Sequence, residues 1–148
     1  MPVFLLLLFF FGSVLAEPPL EEGPTQEALY LQKIEPALQE RGLVAQARLD
    51  AAADFFRGDG MLGMAWPELE GEPLNSPAYL GAQLHQLQKR AEARAEDRRA
   101  AASDDIPAGL RQRRQEVLGN ALLLEEREDM EKSRLLTALL VGIRAHPQ

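Results

Sequence analysis

The chain has 148 residues, no cysteine and a formal net charge of −7. An acidic sequence with few aromatics lacks the clustered Lys and Arg that phosphate neutralisation requires, which sets nucleic acid aside as a partner. Without cysteine there is no disulfide framework and no thiolate metal site, and the length suits one small domain at most.

Residues 3–11 are an unbroken apolar run, followed by Gly12 and Ser13, then Val14, Leu15 and Ala16 before the charged Glu17. An apolar run, a break and small residues at the cut describe a cleavable signal peptide over residues 1–16, with cleavage after Ala16. Glu17, Pro18 and Pro19 end the run well short of the roughly 20 apolar residues that a membrane span needs, so no stable membrane span is expected. The remaining acidity is uneven: residues 17–80 hold twelve acids and four bases, residues 81–148 eleven acids and twelve bases. That asymmetry suggests two functionally different halves.

Residues 17–57 form an acidic N-terminal region. Leu31, Ile34 and Leu38 share a helical face, Pro36 interrupts it, Gly42 suits a helix end, and an Ala-rich helix resumes from Leu43 to Phe56, with Gly58 as its terminator. A helical hairpin is expected. Residues 58–77 are dense in Gly and Pro and read as a linker, although Met61, Leu62, Met64 and Trp66 lie inside it. Ser76 and Pro77 are a strong helix start, opening a charged helix over residues 78–102. Its apolar residues, Tyr79, Leu80, Leu84 and Leu87, all fall in the first half, and residues 89–99 read as a solvated face held by local ion pairs. The C-terminal region, residues 103–148, breaks at 103–107 and then reads as an amphipathic helix from Pro107 to about Ile143. Two apolar patches there are separated by a charged stretch, residues 125–132, that also reads as solvated. No strand alternation and no repeat is visible. The expected fold is all-α: a helical hairpin, a Gly/Pro-rich linker and two longer amphipathic helices, loosely packed and partly disordered.

Catalysis needs convergent nucleophiles, acids or metal ligands, and the chain offers only His85 and His146 as imidazoles and carboxylates in charge runs. A noncatalytic protein without metal or cofactor is expected. Three basic pairs stand out: Lys89-Arg90, Arg98-Arg99 and Arg113-Arg114. Secretory convertases read such pairs electrostatically in an extended chain. Arg111, four residues before a cut that would follow Arg114, completes a furin-type pattern with Arg113 and Arg114. Cleavage there releases residues 115–148 with Gln115 at the new terminus, and cleavage at Lys89 and Arg90 leaves an acidic N-terminal piece. The other reading makes all three pairs ion-pairing residues on exposed helix faces.

The short leader, the cysteine-free Glu, Ala, Leu and Arg-rich helical body, and sites such as Gln88-Lys89-Arg90 and Arg111-Gln112-Arg113-Arg114 resemble secretory precursors of the granin and proSAAS kind. The resemblance is one of organisation over the whole chain. It implies storage in regulated secretory granules, release of peptides and, for proSAAS, inhibition of a prohormone convertase. Of the proSAAS inhibitory hexapeptide Leu-Leu-Arg-Val-Lys-Arg, residues 84–90 keep the terminal Lys-Arg.

Arg57, Gly58 and Asp59 form the integrin-binding tripeptide, or else a helix end with Gly58 as its cap. Met61, Leu62, Met64 and Trp66 either anchor a partner or fold back on a thin core. The leading expectation is a secreted, noncatalytic helical precursor processed at basic sites, with residues 115–148 as the favoured product, in neuroendocrine-type signalling or convertase regulation. Its partners would be secretory-pathway proteases and an unspecified receptor. The alternative is an intact secreted helical protein that binds a partner protein or a lipid surface.

Overall fold

The computed structural model describes residues 25–145. The expected signal peptide with its cleavage after Ala16, the acidic residues 17–24 and His146 lie outside the described residues. The described chain is all-α, with no strand among the described residues. It divides into two compact units at Ile34/Glu35.

In the first unit, the Thr25 Oγ1 accepts the Ala28 N–H at 3.1 Å and caps α1, Gln26–Leu29, which passes into a π-helical turn, Tyr30–Ile34. The second unit holds α2 (Glu35–Phe56), α3 (Leu62–Ala65), a 3-10 turn (Pro67–Leu69), α4 (Pro77–Ala101) and α5 (Ala108–Ala145).

The expected helical hairpin before residue 57 is replaced by the single helix α2. Pro36 stands second in that helix, directly after the π-helical turn Tyr30–Ile34, so the proline falls where the helical register changes and the α-helix continues beyond it. Gly42 does not end a helix either. It lies buried in mid-helix, where an added Cβ would meet the Ala121 Cα at 3.6 Å. With Ala45 and Ala52 on the same buried stripe, it lets α5 approach α2 closely.

α5 is the central element, packing on both α2 and α4, which have no comparable packing on each other. Glu35 pairs with Arg113, Gly42 faces Ala121 and Arg48 reaches Glu128, so α2 and α5 run parallel. Arg98 pairs with Glu126 and Arg90 with Asp129, so α4 runs antiparallel to both. The order is up, down, up. The helix starts follow local chemistry: Ser76 Oγ accepts the Tyr79 N–H at 3.2 Å, with Pro77 at the first helical position.

Residues 58–77 are not a free linker. Their glycines and prolines turn the chain back on itself, and α3 and the 3-10 turn deliver Ala65, Trp66 and Leu69 into a cluster with Ala52, Leu80, Leu87 and Leu136. Tyr79 fastens the plug by donating its hydroxyl to the Glu68 carbonyl at 2.9 Å. The main core therefore sits at one end of the bundle. Next along the helix interface comes a layer of charge, and further buried apolar residues, Leu38, Ala101, Leu118, Ala121 and Leu122, lie toward the other end.

Candidate functional site

α4 carries Arg90, Arg94 and Arg98 at a spacing of four residues, one per turn along a single face. Across from them α5 presents Glu125, Glu126, Glu128 and Asp129. The Arg90 Nε donates to both Asp129 carboxylate oxygens at 3.0 Å, and the Arg94 Nη1 donates to Asp129 Oδ2 at 2.8 Å. From α2, Arg41 donates twice to Glu125 at 2.9 Å and once to Asp97 at 3.0 Å, bridging all three long helices. Lys132 closes the layer toward the plug, donating to Glu68 at 2.6 Å and Gln83 at 3.1 Å.

Most of residues 89–99 is exposed, as expected, but Arg94 is only 5% exposed. Residues 125–132 depart further from the solvated face expected of them: Glu128 is 3% exposed, and Asp129 and Lys132 are also buried. Opposite charges on facing helices made burial possible where unpaired charge would be prohibitive. The matching four-residue periods on α4 and α5 were the available sequence signal, and reading each helix separately hides it.

Glu128 is the exception within the layer. Its closest cations are Arg48 at 3.6 Å and Arg90 at 3.7 Å, beyond hydrogen-bonding distance. Burial pushes its carboxyl above the ordinary glutamate range, and the nearby Arg90 and Arg48 only partly counter this. Glu68 goes the other way. Burial raises it, but the hydrogen bond from Lys132, with the charges of Lys132 and Arg48, brings it below the ordinary value. Glu128 lies on the wall of an open cleft of about 330 Å³ between α2 and α4, lined also by Arg41, Val44, Arg48 and Arg90.

The processing residues named above all lie within helices. Lys89, Arg90, Arg98 and Arg99 are in α4, and Arg111, Arg113 and Arg114 are in α5. Arg113 holds Glu35 through two hydrogen bonds, at 2.6 and 2.8 Å, and Arg111 donates to the Ile106 carbonyl at 3.1 Å. Arg111 and Arg114 each bury their Nε.

Arg57, Gly58 and Asp59 form the end of α2. Gly58 adopts φ +85°, its N–H donates to the Phe55 carbonyl at 3.0 Å, and the Asp59 N–H donates to the Asp54 carbonyl at 2.8 Å. This is the Schellman arrangement, which needs a residue that tolerates left-handed backbone. The Arg57 guanidinium pairs with Asp54 and lies 3.8 Å from Asp59, so the two charged side chains of the tripeptide face one another. Of the apolar group that follows, Trp66 is fully buried while Met61 and Met64 are largely exposed.

Among the described residues no group of three or more His, Cys, Asp or Glu is arranged to hold a metal ion, and no helix is long and apolar enough to cross a membrane. No family model, no curated protein and no solved structure matches the chain.

Proposed function

We propose that this chain acts intact, as a noncatalytic helical binding protein of the secretory pathway, and that its basic residues serve as interhelical clamps. The observation that carries the reading is the placement of the basic pairs. Each lies inside a helix, and Arg90, Arg98 and Arg113 are held by acids of another element. A convertase cleft takes an extended strand, so cleavage at Lys89-Arg90 would first require breaking the Arg90 and Arg94 contacts to Asp129. The cleft between α2 and α4 offers a partner both charge and the apolar Val44.

A peptide precursor is the second reading, favoured by one feature. Arg111, Arg113 and Arg114 lie in the first two turns of α5, next to the break at 103–107, where fraying is least costly. Mass spectrometry of medium from secreting cells that contain convertases tests both. Intact residues 17–148 support the binding protein. Recovery of residues 115–148 as the main product overturns it in favour of the precursor.

A further inference from the structure

On the side of α5 away from α4, a second groove runs along the seam with α2. Its volume is about 430 Å³; Asp50 and Ala53 of α2 line one side, Arg127, Met130 and Glu131 of α5 the other, and Glu131 is paired within its own helix with Arg134. Leu43 precedes Asp50 by two helical turns on α2, and Leu123, Arg127, Met130 and Arg134 recur every three or four residues on α5. Three large apolar side chains stand out of this face: Leu43 is 66% exposed, Leu123 55% and Met130 60%. Because Gly42 stands level with Ala121, Leu43 stands level with Leu123, and Asp50 with the turn from Arg127 to Met130.

We propose that this α2/α5 face is a self-association surface on which a second copy of the chain docks, the two related by a two-fold axis running along the helices. That symmetry lays α2 of each copy on α5 of the other at the same level. Leu43 then meets the partner's Leu123, and Asp50 meets the partner's Arg127, each twice. The competing two-fold, with its axis across the helices, lays α2 antiparallel on α2 and α5 antiparallel on α5, so that Asp50 of one copy no longer lies on Arg127 of the other. Charge therefore selects the parallel pairing.

The face from Leu43 to Phe56 is about 20 Å long and two helices, about 20 Å, wide. Roughly 800 Å² is buried in total, below the size of a permanent interface, so the dimer is weak and reversible.

Sedimentation velocity over a dilution series of the chain purified from producing cells reads the result. The wild type is expected to shift from monomer toward dimer with concentration. Asp50→Arg and Arg127→Asp each weaken dimerisation by about tenfold or more, and the double charge swap restores it. Leu123→Lys, a variant on the exposed face, also weakens it. A wild type that stays monomeric at the highest concentration overturns the proposal. So does association unaffected by the single reversals, or a double swap that fails to restore it.

Discussion

Arg94 and Asp129 meet at 2.8 Å across the α4/α5 interface with both side chains withdrawn from solvent, and Asp129 also holds Arg90. One carboxylate thus holds two guanidinium groups from successive turns of the facing helix, with Glu125 3.9 Å from Arg94 and Glu128 3.7 Å from Arg90 as the further counter-charges. Removing it takes the hydrogen-bonded partner from a buried cation. Asp129→Ala is expected to cost about 3 kcal/mol of unfolding free energy, in the range for breaking a buried pair from one side. Urea unfolding checks this; a loss below about 1 kcal/mol would mean that the layer is wet.

Glu128 behaves oppositely, because it is buried without a direct hydrogen bond. Its folded-state pKa lies above the ordinary value, so the ionised form opposes folding at neutral pH, and that cost is relieved as pH falls through the raised value. Glu128→Gln should therefore raise the melting temperature at pH 7, and the gain should shrink toward pH 4. A variant less stable than wild type at pH 7 contradicts this.

Gly42 gives a second stabilising substitution. An added Cβ would sit in ordinary van der Waals contact with Ala121 and Leu124, at 3.6 to 3.7 Å. Gly42→Ala recovers helix propensity without overpacking and is expected to stabilise by about 0.5–1 kcal/mol. Gly42→Leu, which forces α2 off α5, should destabilise by at least about 1–3 kcal/mol. Thermal unfolding of the pair measures both.

At the tripeptide, Gly58→Ala puts a Cβ on left-handed backbone and should cost about 1 kcal/mol. Asp59→Glu keeps the backbone N–H that bonds to Asp54 and should leave stability unchanged. A cell-adhesion assay separates cap from ligand. Adhesion that is present in wild type and lost only in Asp59→Glu would establish the ligand reading.

Limited trypsin digestion gives an order of cutting. Arg57 ends a helix and is followed by a turn, whereas the three basic pairs are helical. Cleavage after Arg57 is expected first and cleavage at Arg90 later, since proteolysis follows local opening. Early cutting at Arg90 would indicate that the charge layer opens readily.

Much of this architecture is legible one helix at a time. Ser76 and Pro77 announce α4, the break before residue 108 separates it from α5, and Gly58 ends α2, because caps and terminators act within a few residues of the chain. The all-α class follows from the same local periodicities. The errors come where a residue's role depends on a distant neighbour. Gly42 reads as a stop until Ala121 lies against it, Trp66 reads equally as a partner's anchor or a cover for the core until the core receives it, and Arg94 reads as solvated until Asp129 faces it. Spacing along one helix shows which residues share a face, but not whether that face meets water, an apolar surface or opposite charge. The sequence alone determined the all-α class, the end of α2 at Gly58, the start of α4 and the uneven charge. Only the tertiary structure decided that α5 lies between α2 and α4, because half-burying Glu125 and burying Asp129 and Lys132 is tolerable only where other elements bring Arg41, Arg90, Arg94 and Glu68 within hydrogen-bonding distance.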